Sequence, residues 1–134
     1  MTQFLYHAFL VAAGSAVGGL ARWLIGMGAT ALFGTSFPWG TLIINLTGCL
    51  FLGWLGALLA DKVLPRADEV RLLLAVGFCG AYTTFSTFEY EADKLFKDGD
   101  GTLGLLYIGA SVFLGLMAIR LGVFLARHPW GGGQ

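Results

Sequence analysis

Charge is scarce in this chain. Eight Lys and Arg stand against eight Asp and Glu in 134 residues, so 12% of the chain is charged and the formal net charge is zero. That balance offers no basic surface to a phosphate backbone, which argues against nucleic acid as a partner. Cysteine is equally sparse. Cys49 and Cys79 fall in different segments without ligand partners at close spacing, and read as small hydrophobes. His7 and His128 lie near the ends, and neither belongs to a His-x-x-x-His or Glu-x-x-His pattern, so no side-chain metal centre is expected. There is no nucleophile elbow, no phosphate-binding glycine loop and no pair of carboxylates inside an apolar run. The chain is therefore not expected to be an enzyme.

Apolar sequence is what the chain has in abundance. Hydrophobic residues make up 57% of it and mean hydropathy is +0.77, values that fit poorly with a domain whose surface faces water. About four spans of roughly 20 residues account for the whole length, leaving no room for a soluble domain. The expected spans are 4–27, 40–60, 70–88 and 103–126, in a single four-helix membrane domain covering 1–134. The first is too long for a secretory signal core and lacks a basic leader, so it is read as retained. Between the spans, 34–39 is an uncharged turn, whereas 61–71 and 89–101 hold most of the charge and are expected to be loops.

An even number of spans places both termini on one side, with Lys62, Arg66, Arg71 and Arg127; the other side carries Lys94 and Lys97. Orientation follows excess Lys and Arg in short flanks, and here the excess is weak. A chain without a decided orientation can insert both ways and pair as an antiparallel homodimer, and four short helices enclose little volume alone. Net neutrality fits that assembly. Gly14, Gly18, Gly48, Gly56, Gly115 and Gly122 allow close helix approach, and Trp23, Trp39 and Trp130 suit membrane interfaces, Trp54 less so.

Polar groups inside the spans narrow the function. Asn45 is midway along the second, where an unpaired amide is costly, so it faces either a neighbouring helix or a permeating species. Thr41 and Gly48 share its helical face. In the fourth span Tyr107, Ser111 and Gly115 recur every four residues as a polar track, although Ser111 could instead return its hydroxyl to its own backbone. Arg22, late in the first span, would cost at least about 2.5 kcal/mol at the bilayer centre, so it either lines a watery vestibule or binds helix-terminal carbonyls. The stretch 77–88 is glycine-punctuated, rich in hydroxyls and aromatic. Gly77 and Gly80 permit close packing or a local break, and a broken helix frees carbonyls suited to an alkali cation while hydroxyls and amides suit an anion. Phe85 and Phe88 share a face and present ring edges of partial positive charge, unless they merely meet lipid or core.

Together these segments resemble the Fluc (CrcB) family of small fluoride channels over all four spans. The run Gly77-Phe78-Cys79-Gly80-Ala81-Tyr82-Thr83-Thr84-Phe85-Ser86-Thr87-Phe88 is similar to the family's glycine-bounded Thr-Thr-Phe-Ser-Thr-Phe segment, and Glu91 matches a following acidic position. Gly40-Thr41-Leu42-Ile43-Ile44-Asn45-Leu46-Thr47-Gly48 resembles the second-span motif, with Ile44 where Val is usual. Phe51 falls one residue later than the family's aromatic and is given no pore role. Gly18-Gly19-Leu20-Ala21-Arg22-Trp23 resembles the first-span arginine motif more loosely.

The resemblance implies an all-α integral membrane protein of the inner membrane, with four transmembrane helices, a break in the third, and an antiparallel dual-topology homodimer carrying two fluoride pathways. It implies Asn45 as the pore amide, Phe85 and Phe88 as an aromatic box, Tyr107 and Ser111 as the polar track, and Thr41, Ser86 and Thr87 as weaker pathway candidates. A structural sodium ion (Na+) at the dimer centre would be held by the backbone carbonyls of Gly80 and Thr83. The partners are then fluoride, membrane lipid and a second copy of the chain. Neutral donors suit fluoride because formal cations along a narrow path would hold so small an anion too tightly. A small dual-topology proton-coupled transporter is the alternative, but no Asp or Glu interrupts the first span. A non-transporting membrane subunit is a further one.

Overall fold

The protein is described here by a computed structural model of residues 1–61 and 63–128. Lys62 and Trp130, counted above as a loop cation and an interface anchor, lie outside the described residues. Apolar runs become helices because lipid offers no partner to backbone N–H and C=O groups, which must then bond within the segment. Among the described residues there is no strand. Helix α1 is Thr2–Phe33 and α2 is Trp39–Ala60. The third span begins as α3, Ala67–Val70, continues through a π-helical stretch Arg71–Cys79 and α4, Gly80–Tyr82, and resumes as α5, Phe85–Lys97. Helix α6 is Gly101–Arg127. Among the described residues, four segments are long and apolar enough to cross a membrane: α1, α2, Ala67–Lys97 and α6.

All four helical spans outrun the expected bounds, the second by a single residue, and much of the expected loop 89–101 is helical. Residues Glu89 to Lys97 continue α5 with a strongly two-sided pattern: Phe88, Ala92 and Leu95 are buried while Glu89, Tyr90 and Asp93 are exposed. Lys94 and Lys97 sit in the last turn, where cations complement the helix dipole, and Lys97 pairs with Asp93 one turn back. Hydropathy marks the apolar part of a helix and not its end. Residues 67–71, also expected as loop, are helical for the same reason.

Close glycine contacts arrange the bundle. A Cβ built on Gly14 would lie 2.0 Å from the Leu73 carbonyl oxygen, and one on Gly18 would lie 2.2 Å from that of Phe78, so α1 lies directly on the π-helical stretch. Similarly, Gly53 of α2 meets Ile119, and Gly122 of α6 meets Leu50, at 2.3 and 2.2 Å. Gly77 packs against the Val11 carbonyl of α1, and Gly80 is helical (φ −62°, ψ −34°). A Cβ built on Gly56 would meet nothing within 4 Å, so no close approach within the chain depends on its being glycine. The buried apolar cluster is small, formed by Leu42, Phe88, Ala92, Leu95 and Tyr107. Large side chains such as Phe4, Leu20, Leu105 and Phe113 are outside, on the surface a four-span bundle offers to lipid.

Candidate functional site

Two residues of the third span leave the helical region. Thr83 (φ −81°, ψ 160°) and Thr84 (φ −149°, ψ 121°) are extended, between Tyr82 and Phe85. Asn45 holds this step from α2 with both ends of its amide: Nδ2 donates to the Thr84 carbonyl at 3.0 Å, and the Thr84 N–H donates to Oδ1 at 2.9 Å. One N–H of Asn45 is left over. Thr84 also caps α5, its hydroxyl accepting from the Thr87 N–H at 3.3 Å and donating to Thr87 Oγ1 at 3.0 Å.

These bonds divert two donors. In an unbroken helix the Thr84 and Thr87 N–H groups would serve the carbonyls of Gly80 and Thr83, four residues earlier. They are engaged instead by Asn45 and by the Thr84 hydroxyl, so both carbonyls lose their helical donors. Among the described residues there is no cluster of three His, Cys, Asp or Glu able to hold a metal ion. Backbone oxygen is the hard-cation chemistry available at the step.

The aromatic and hydroxyl candidates separate into buried and open groups. Tyr107 is wholly enclosed, and its hydroxyl donates to Glu91 Oε2 at 2.9 Å. Phe88 is 7% exposed and meets the Tyr107 ring edge-on, with centroids 5.2 Å apart. Phe85 is 73% exposed, 5.9 Å from Phe88 between centroids. Phe88 thus belongs to the core and Phe85 to the outer surface of the single chain. Ser111 lies one turn beyond Tyr107, and its Oγ is buried with no hydrogen-bond partner among the described residues. It does not return its hydroxyl to its own helix.

A cavity of about 950 Å³ opens between α1, the 34–38 turn, α2 and α5. It brings together Arg22, Thr41, Thr84, Thr87 and Glu91, with Lys94, Asp98 and Asp100 at its walls. Arg22 is half-buried there, and Thr41 is 6% exposed. Asn45, Phe85, Ser86, Phe88, Tyr107 and Ser111 are not on that wall. Ser86 and Thr87 are exposed in the single chain, as is Gly80, while Thr83 is half-buried.

Four participants were given no role by sequence. Glu91 was matched only as an acidic position, yet it accepts the Tyr107 hydroxyl; an acid one turn after Phe88 on an amphipathic helix was the available signal. Phe37, in the turn before α2, meets Tyr107 edge-on at 5.4 Å and Trp39 at 4.7 Å. Nothing in an uncharged turn marks it. Tyr82 and Thr47 bond through their hydroxyls at 2.7 Å, a pairing 35 residues apart in sequence that only folding reveals.

The family model described as CrcB-like protein, Camphor Resistance (CrcB) matches residues 9–123. The chain is 42% identical over 123 residues to a protein of Rhizobium etli (strain CIAT 652) named Fluoride-specific ion channel FluC, covering 92% of this chain and 98% of that one. It is 44% identical over 123 residues to a protein of the same name from Chloroflexus aurantiacus (strain ATCC 29366 / DSM 635 / J-10-fl), with 92% and 95% covered. A third of that name, from Trichormus variabilis (strain ATCC 29413 / PCC 7937), is 40% identical over 121 residues, with 90% and 88% covered.

Proposed function

The chain belongs to the CrcB family, and on that footing we propose that it is a fluoride-selective passive channel, a multi-pass protein of the inner membrane and not an enzyme. Hydrogen fluoride enters a cell from acid surroundings as a neutral molecule, dissociates inside and leaves the anion trapped. A passive path lets fluoride leave down its gradient, driven by an inside-negative potential, and so lowers its toxicity.

The buried, unpartnered hydroxyl of Ser111 carries this reading. A donor enclosed in an apolar bundle without an acceptor is rare and calls for a partner that the described residues do not supply. A dehydrated fluoride ion is such an acceptor. Thr41 and Phe88 extend the same chemistry with a hydroxyl and a ring edge and no formal cation, while Tyr107, whose proton goes to Glu91, offers its ring edge alone. The remaining N–H of Asn45 is a further donor, and Arg22 in the cavity concentrates anions at the entrance. In the single chain Phe85 and Ser86 face outward, so their part in the pathway requires a second chain over them, whereas Thr87 already lines the cavity.

That requirement supports an antiparallel homodimer. Exposed Gly80 and Ser86 would meet lipid if the chain acted alone, and bilayer penalises unpaired polar backbone and hydroxyls. The weak Lys and Arg bias allows insertion both ways. The carbonyls of Gly80 and Thr83, relieved of their helical donors, fit a structural sodium ion shared by two such copies. Sodium bound there would supply fixed positive charge within the bundle.

Electrode-recorded fluoride efflux from liposomes holding the purified protein, with a potassium ionophore setting the voltage, tests the function. Fast voltage-driven loss of fluoride, without chloride loss or a proton requirement, is the expected result. Strict proton dependence would indicate a coupled carrier, and no flux from a verified dimer would indicate a structural subunit; either overturns the channel.

A further inference from the structure

Thr47 lies between Asn45 and Gly48 on α2 but off the face that they share, and the pathway above makes no use of it. Its hydroxyl oxygen is 2.7 Å from the Ile43 carbonyl, 3.1 Å from that of Ile44, and 2.7 Å from the Tyr82 hydroxyl. A threonine hydroxyl has one proton, and the carbonyls can only accept, so that proton goes to the α2 backbone. Tyr82 is then the donor to Thr47 Oγ1. The Tyr82 ring is 6% exposed and stacked on Phe78, with centroids 5.5 Å apart and planes 11° from parallel. Packing fixes the ring, and Thr47 fixes its tip.

Tyr82 is the last helical residue before the step, and each neighbour is met by the same turn of α2. A Cβ on Gly48 would lie 2.2 Å from the Thr83 methyl carbon, so Thr83 occupies the notch that Gly48 leaves. Thr84 is clamped by Asn45 through two backbone bonds. Cys79 Sγ lies 3.6 Å from the Gly48 carbonyl. A helix end released from its own hydrogen bonds frays unless something outside it fixes the final turn. Residues 45, 47 and 48 supply that fixation to residues 84, 82 and 83.

We propose that the Thr47–Tyr82 hydroxyl pair is a positioning element: it sets the rotation of the turn before the step, and with it the direction of the carbonyls that would take the cation. The cation part rests on the sodium reading given above; the positioning of the step does not. Neither residue touches the conducted ion, so the pair acts through the backbone it orients.

Purified Thr47→Val, Thr47→Ser, Tyr82→Phe and the Thr47→Val/Tyr82→Phe double variant test this, each verified as a dimer by size exclusion and reconstituted for fluoride efflux. Sodium is titrated against N-methylglucamine. Thr47→Val and Tyr82→Phe should each raise the half-activating sodium concentration roughly tenfold, the scale of one buried hydrogen bond. The double variant should be no worse than either single one, and Thr47→Ser should stay within about twofold of the parent. Unshifted sodium dependence in both single variants, additive shifts in the double, or no rescue by Ser would overturn the proposal. Should the parent itself conduct indifferently to sodium, the cation reading fails separately, and the flux rates decide the pair. The same non-additive loss with Ser rescue then supports positioning of the step, and parental rates in Thr47→Val and Tyr82→Phe overturn it. If Thr47→Val yields no dimer, Tyr82→Phe, which removes one oxygen from a ring already fixed by stacking, carries the comparison.

Discussion

An amide that engages both the N–H and the carbonyl of one backbone unit is a structural clamp as well as a donor. Asn45 does this to Thr84, and a carboxylate, which has no N–H, cannot make both bonds. Asn45→Asp would set a negative oxygen against the Thr84 carbonyl and remove the spare N–H, so fluoride efflux should fall at least tenfold and the fold should lose about 1–3 kcal/mol of stability. Efflux and detergent thermal melts of the same preparation check both parts. Ser111 should behave oppositely in stability. Its hydroxyl has no partner among the described residues, so Ser111→Ala should leave the melting temperature unchanged or raised while slowing efflux. A lowered melting temperature with normal flux would show the hydroxyl to be structural. Phe85 and Phe88 share a motif, yet Phe85→Ile should slow efflux without harming folding, whereas Phe88→Ile should do both, because only Phe88 packs on Tyr107.

At the scale of elements, the third span is the irregular one. A π-helical stretch is wider than an α-helix and less well packed internally, and here it lies under two glycines of α1 that bring backbone onto backbone. Gly18→Ala drives a Cβ to 2.2 Å from the Phe78 carbonyl oxygen and should destabilise the fold by at least about 1–3 kcal/mol, whereas Gly56→Ala, open on all sides within the chain, serves as its control. Recovery of dimer after mild heating in detergent distinguishes the two. The loop before α3 contains Arg66 in the left-handed region (φ 53°, ψ 47°), a conformation that glycine or asparagine adopts more readily. Arg66→Gly should therefore be neutral or stabilising by up to about 1 kcal/mol in the same assay.

For the whole molecule, orientation is the open degree of freedom. Among the described residues, one ion pair joins the ends of α2 and α6, Arg127 with Asp61 at 3.1 Å, and both side chains are about half exposed. Such a pair contributes about 0–1 kcal/mol and cannot decide insertion. A single added cation can, because the existing bias is weak. Val63→Lys, on the side of both termini, should drive one orientation and lose most flux when expressed alone. Co-expression with Leu32→Lys, biased the other way, should restore it. Full flux from Val63→Lys alone would rule out the antiparallel pair.

Composition and motif order were enough to show a four-span membrane protein. Apolar runs of this length have no stable place in water, and lipid forces each into a helix that closes its own backbone bonds. The run 77–88 likewise marked where polar groups had to meet something other than lipid. What folding decided was the partner of each group. The Thr84 amide is drawn to Asn45 and the Tyr107 hydroxyl to Glu91, while the Ser111 hydroxyl finds none among the described residues. Gly80 keeps helical angles, and the extended step falls on Thr83 and Thr84, where α2 offers competing hydrogen bonds and the Gly48 notch. Hydropathy is a property of a residue and can be read along a line. A hydrogen bond between residues 39 or 35 apart is a property of the packing of two helices, and exists only once glycine contacts have brought their backbones together.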